Sequence, residues 1–229
     1  ANGGTGATTK SSAFDALSPM TTLGDIIYGG TSGTGSVVSS SDFGATWTDR
    51  STTVNTANGL SSGNYTSVAY GNGVFVAVNG GGGAKTSVST NGTTTWTAGG
   101  TLPFTTAISV AYGNGRFVVL GSDGSVAYSL NQGTSWIACP TSTGTTTSIL
   151  SSSYTWTRIK YGQGLFMAIA QGTNVSATSA FGVNWAVQTI SASTNWKGLA
   201  FGNPNSNPIW VAVSNSSGTI ASSIRTGAQ

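Results

Sequence analysis

The chain has 229 residues and a formal charge of +3, with only 6% charged residues where an ordinary domain has roughly a quarter. Its cations (Lys10, Arg50, Lys85, Arg116, Arg158, Lys160, Lys197 and Arg225) are scattered, so the basic balance reflects scarce acids and excludes a nucleic-acid footprint. His and Glu are absent and Cys139 is alone, which excludes His-based triads, His metal sites and an internal disulfide.

Aromatic residues at 10% and many short Val/Ile/Phe runs are enough to bury a core, and Ser, Thr, Gly and Asn carry the solubility. No apolar run approaches the roughly 18 residues of a membrane span, so membrane insertion is not expected. No signal peptide is visible, and the start at Ala1 rather than Met points to processing or to a piece of something longer.

Residues 1–23 stand apart as an N-terminal arm or linker. Gly and Thr dominate the first nine, and Ser11–Leu17 suits one helical turn broken at Ser18-Pro19. From Gly24 onward the chain is repetitive. Its clearest unit runs from Ser109 to Trp136: strand SVAY, turn Gly113-Asn114-Gly115, strand RFVVL, turn Ser122-Asp123-Gly124, strand SVAYSL, turn Asn131-Gln132-Gly133, and a fourth strand opened by Trp136. Alternating apolar residues between Gly/Asn/Asp turns signal antiparallel hairpins.

A Tyr-Gly or Phe-Gly marker ends strand one at Tyr70, Tyr112, Tyr161 and Phe201, and tryptophans follow at Trp47, Trp96, Trp136 and Trp185. Both series step by 40 to 49 residues, and four strands at that period are the mark of a propeller. Five units are counted. The first lacks strand one, because Gly24–Gly30 aligns with strand two, and the fifth lacks strand four. The expected fold is all-β: a propeller of about five four-stranded blades over 24–229, preceded by the extended arm.

Each tryptophan closes a box, S-x-D-x-G-x-T-W. It is complete at Ser40, Asp42, Gly44, Thr46 and Trp47. Ser129, Asn131, Gly133, Ser135 and Trp136 match with Asn for Asp; Ser89, Asn91 and Trp96 match with the glycine shifted to Gly92. Thr178, Gly182 and Trp185 keep the frame with Ala180 at the acidic position. These boxes resemble the Asp-box, or bacterial neuraminidase, repeat family over about 200 residues. The resemblance implies a hairpin turn between strands three and four, with Asp or Asn capping backbone N–H groups, Gly at positive φ and Trp packed between blades. It carries no single function, since such boxes occur in enzymes, lectins and structural proteins. The first 35 or so residues, through TTLGDIIYGGTSGT, also resemble segments of bacteriophage tail-fibre proteins, which implies a shaft-to-tip junction and a trimeric assembly.

Catalysis is not expected. A sialidase needs an arginine cluster, a tyrosine with a glutamate partner and an aspartate, and no Glu is present; outside the boxes only Asp15, Asp25, Asp49 and Asp123 remain. Asp42 reads as a turn cap, and Cys139 has no His to activate it. The Gly-rich turns at 71–73 and 80–83 lack the Lys-Ser/Thr and helix of a phosphate loop. No cofactor or metal is called for.

The candidate ligand residues are aromatic. Tyr65, Trp156 and Trp196 each lie five residues before a marker, a recurrence that speaks for structure first; Tyr154, ending a Ser/Thr-rich loop, is less constrained. Antiparallel strands put the strand one–two turns and the boxes on one face. The variable connections 50–64, 99–106, 138–153 and 187–194 lie on the other, where ligands are expected. The expected role is a non-enzymatic extracellular or virion-surface module of tail-fibre or receptor-binding type that contacts cell-surface glycan. The alternative is a structural subunit of a filament or virion assembling through its arm and propeller edges. Either reading favours a homo-oligomer.

Overall fold

A computed structural model describes residues 26–29, 36–42, 44–59, 63–81, 83, 85–139, 150–203, 208–216 and 221–224. The arm at 1–23 and the positions Arg225 and Gly227, where a fifth box would continue from Ser223, lie outside the described residues.

Unit I is a three-stranded sheet of β1 (Ile26–Gly29), β2 (Ser36–Ser39) and β3 (Thr48–Asp49). A short helix, α1 (Ser51–Ala57), leads to unit II: β4 (Tyr65–Gly71), β5 (Val74–Asn79), β6 (Lys85–Ser89) and β7 (Thr97–Thr101). Unit III has β8 (Ala107–Gly113), β9 (Arg116–Gly121), β10 (Val126–Ser129) and β11 (Ile137–Ala138). A five-stranded sheet follows, of β12 (Thr155–Gly162), β13 (Leu165–Ser179), β14 (Ala186–Gly202), β15 (Ile209–Ser214) and β16 (Ala221–Ile224). All neighbouring strands are antiparallel.

This last sheet holds units IV and V. The first half of β13 pairs with β12 and its second half, from Val175, with the start of β14; the end of β14 pairs with β15. Each long strand therefore carries two successive repeat strands. As the repeat predicts, β1 pairs in the register of a second strand, Ile26 with Ser39, so unit I begins at strand two among the described residues. Among the described residues unit V reaches its third strand, β16.

The core lies between units, and the inner sheets are covered on both faces. In β9, Phe117 and Val119 pack toward unit II, while Val118 and Leu120 pack toward unit IV. In β5, Phe75 and Ala77 face unit I, and Val74, Val76 and Val78 face unit III. Strand period two explains why these runs read as unbroken apolar stretches rather than alternating ones. Each such side chain contributes roughly 1.5–3 kcal/mol on burial.

The marker dipeptides have a steric cause. A Cβ on Gly71 would lie 2.0 Å from the Tyr112 ring, on Gly113 2.1 Å from Tyr161, and on Gly162 2.2 Å from Phe201. Each marker ring thus rests on the marker glycine of the preceding unit. The same ring packs against strand two of its own unit, as Tyr112 on Phe117 at 4.7 Å and Tyr161 on Phe166 at 5.0 Å. First strands are also tied laterally through hydroxyls: Val110 N donates to Ser67 Oγ (3.1 Å), Ile159 N to Ser109 Oγ (3.2 Å), and Thr157 Oγ1 to Trp196 O (3.0 Å). That is one use of so much Ser and Thr.

Two sequence expectations need correction. The connection 50–64 is not all loop: α1 sits there, with Asp49 Oδ1 accepting from Ser51 N (2.8 Å) and Val54 fully buried against Tyr65 and Trp96. Box tryptophans do pack on the preceding unit at Trp96 and Trp185, and Trp136 does so in part. Trp47 does not. It is 39% exposed, its indole N–H donating only to Gly44 O (3.0 Å), because no preceding unit's strands lie against it among the described residues.

Candidate functional site

The strand one–two turns and the boxes share one face. In the turns, Asn72, Asn114 and Gln163 take φ of 46–48°, each followed by glycine at φ of 75–80°, the two-residue hairpin geometry that fits the strand twist. In the boxes the serine and the acid or amide close a small network. In unit III, Gly133 N donates to Ser129 Oγ (2.9 Å) and Ser135 N to Asn131 Oδ1 (3.0 Å). In unit II, Gly92 N donates to Ser89 Oγ (2.8 Å) and Thr93 N to Asn91 Oδ1 (3.0 Å). In unit I, Gly44 N donates to Ser40 Oγ (2.8 Å), and Asp42 accepts from Thr46 N (2.9 Å) and Thr46 Oγ1 (2.5 Å). These bonds, the Thr46 hydroxyl's foremost, lower the Asp42 carboxyl to about 2.

Unit IV departs from this pattern. The residue in the serine role is Ser179, not Thr178: Gly182 N donates to Ser179 Oγ at 2.8 Å. In that register the position of the acid or amide falls to Phe181, whose ring is 53% exposed. The preceding unit still holds the loop, as unit II holds the unit III loop through Gln132 Nε2 on Asn72 O (2.9 Å). Asn114 Nδ2 donates to Ala180 O (2.7 Å), and Cys139 Sγ donates to Gly182 O (3.3 Å). Gly182 sits at φ +70°, and a Cβ there would lie 2.5 Å from Val118, so only glycine seats the loop this closely on unit III. Both neighbours of Phe181 are anchored while its side chain stays outside.

A second departure faces it. Strand two begins with Val74 in unit II and Leu165 in unit IV, but with Arg116 in unit III. The Arg116 guanidinium carbon lies 5.1 Å from the centroid of the Tyr128 ring and 5.1 Å from that of Phe181, a cation set over two rings. A cleft of about 420 Å³ opens there, lined by Arg116, Ser179, Ala180, Phe181, Val183 and Asn184. A second hollow of about 320 Å³ adjoins it on the far side of the same loop, against Leu165 and Trp185.

This cleft offers a cation, an exposed ring and an amide, but no carboxylate pair and no metal-holding cluster among the described residues. Cys139 borders it and is a poor nucleophile. Burial pushes its thiol up to about 11, against a smaller opposite pull from the Arg116 charge.

The aromatic residues singled out in the sequence lie elsewhere. Tyr65, Trp156 and Trp196 are at most 1% exposed and form interface core, so their rings present no face to a ligand. The Tyr65 hydroxyl is satisfied by Val54 O (3.3 Å) and the amide of Asn58 (3.4 Å). Tyr154 is half-buried and packs edge-on against Trp156 at 6.2 Å. The cleft lies on the box face, opposite the variable connections. Arg116 was counted among scattered cations, and Phe181 was hidden by the Thr178 register. The signal that would have found them is a paired break in the repeat, in neighbouring units.

Antiparallel sheets of three to five strands, stacked face to face in sequence order, define an all-β propeller. No family model matches the chain, and no curated protein matches it. Its likeness is to solved propeller structures. YCF48 from Cyanidioschyzon merolae superposes with a TM-score of 0.57 at 15% identity, over 86% of this chain and 62% of that one. A chain of the nidogen/laminin complex gives 0.54 at 12% over 82% and 72%, and a GH74 enzyme of Niastella koreensis gives 0.53 at 19% over 84% and 28%. The chain thus spans about three fifths of the YCF48 protein, and at these identities the likeness is one of fold.

Proposed function

We propose that the chain is a non-enzymatic binding module, displayed outside the cell or on a virion surface in the manner of a phage tail-fibre or receptor-binding domain, that contacts surface carbohydrate. The observation that carries this reading is the open cleft in which the exposed Phe181 ring and the Arg116 guanidinium replace residues the repeat uses for structure. Sugars bind through an apolar ring face on an aromatic side chain and polar groups at the edge, and this cleft has both. The lack of Glu and His, and the use of Asp42, Asp49 and Asp123 as turn caps, favour binding over turnover. The Asp-box-like turns belong to this reading as a rigid scaffold. A glycan array scored for retention and for released reducing sugar tests it. Retention without release is expected. Sugar release that disappears on replacing one Asp would make the protein an enzyme.

A structural subunit is the second reading, favoured by the two outer faces. Trp47 on unit I and Val213 on unit V are 39% and 42% exposed, whereas the corresponding faces of inner units are closed by a neighbour. A homo-oligomer that covers them would show as a multiple of the chain mass in light scattering, and as a monomer after Trp47→Ser with Val213→Ser.

A further inference from the structure

We propose that the Arg116–Phe181 cleft is specific for a carboxylate-bearing sugar residue of the uronic-acid class; this rests on the glycan-binding reading above and names its ligand chemistry. Arg116 is a cation with no ionic partner among the described residues. The three described aspartates are engaged in their own turns, Asp42 with Thr46, Asp49 with Ser51 and Asp123 with Ser125 N (3.0 Å). The Arg116 Nε is buried and without a hydrogen-bond partner. A buried guanidinium N–H left unpaired is costly, and it leaves the Arg116 head group short of the partners that an acceptor in the cleft would add.

The fold does not need this arrangement. Val74 and Leu165 start strand two elsewhere, and Asp or Asn serves at the Phe181 position in the three other boxes. Both replacements exchange a residue that suits the scaffold for one that suits an anion beside an apolar ring. Tyr128 and Phe181 both lie against the guanidinium, its carbon 5.1 Å from each ring centroid, so that two rings restrict how its N–H edge can turn. A planar carboxylate meets such an edge with two parallel N–H···O bonds. The sugar ring bearing it then lies against Phe181, and the cleft volume of about 420 Å³ suits one or two sugar residues. One cation matches one negative charge. Phosphate, with nearly two, is ordinarily met by several cations or a run of backbone N–H groups, and among the described residues Arg116 is the one cation lining this cleft.

The test is titration of the full chain, isotopically labelled for amide NMR, with methyl β-D-glucuronide, methyl β-D-glucoside, glucose 6-sulfate and glucose 6-phosphate. The glucuronide is expected to shift the amides of Arg116 and residues 179–184 saturably, and to bind at least tenfold tighter than the other three. Arg116→Gln should lose tenfold or more of that affinity, and Arg116→Lys, which keeps charge without the fork, should recover only part of it. Should Arg116→Gln not fold, Phe181→Asn carries the same expectation, as it restores a box residue. Equal binding of glucuronide and glucoside overturns the carboxylate specificity and leaves the glycan-binding reading standing. Tighter binding of sulfate or phosphate, or an unchanged glucuronide affinity in Arg116→Gln, overturns it likewise. If no saccharide here and no glycan on the array binds, both fall.

Discussion

Units III and IV place matching strands around turns that are both held by the preceding unit but differ in the amide cap inside the loop. In unit III the loop is capped from within, Asn131 accepting from Ser135 N and Ser129 from Gly133 N, and it is also tied to unit II, Gln132 Nε2 donating to Asn72 O (2.9 Å) and Gly100 N to Gly133 O (2.8 Å). In unit IV the loop is clamped by its neighbour, through Asn114, Cys139 and the contact of Gly182 with Val118. Dropping the internal amide cap while keeping the neighbour's clamp frees the Phe181 position from capping duty. A repeat scaffold thereby gains one position whose side chain is rigidly presented and not needed for the fold.

The largest effect that tests this comparison concerns the box tryptophans. Trp185→Ala should cost roughly 3–5 kcal/mol in chemical denaturation, since the ring is 1% exposed between units III and IV. Trp47→Ala should cost about 1 kcal/mol or less, since that ring covers no preceding unit. Equal losses would mean that Trp47 is buried in an assembly. Gly182→Ala comes next, at about 2–3 kcal/mol from positive φ and displacement of Val118 together. A neutral result would dismiss the external clamp. Asn131→Ala should cost about 1 kcal/mol by removing the cap inside its loop, whereas Phe181→Ala should stay within about 0.5 kcal/mol.

The smallest effect is in pH. The Asp42 carboxyl is lowered from 3.8 to about 2, so its contribution is complete above pH 3.8 and is lost as pH falls toward 2. Asp42→Asn, the residue that units II and III use, should flatten that part of the acid limb in a melting-temperature profile. An acid limb of unchanged slope would remove Asp42 as its source.

The repeat made much of the fold legible. The marker glycines, the apolar second strands and the box serines recur because each unit meets its neighbour through the same contacts, as Tyr112 on Gly71 and Tyr161 on Gly113. Residues that serve only one interface did not show. Helix α1 is an insertion with no counterpart among the described residues of other units, stabilised by Val54 against Tyr65. The recurrent Tyr65, Trp156 and Trp196 drew attention as aromatics, yet recurrence at one register is what core positions do. The unit IV register slipped because Ser179 follows Thr178, and either hydroxyl satisfies the pattern while only one reaches Gly182 N. Arg116 and Phe181 come together across two units, a contact that no spacing along the chain encodes.

The most direct measurement restores the repeat at its break. Phe181→Asn should leave the melting temperature unchanged or slightly raised, because an exposed ring gives way to a box amide, while affinity for methyl β-D-glucuronide falls at least tenfold. Undiminished affinity in a variant of unchanged stability would contradict the claim that Phe181 is there for a ligand.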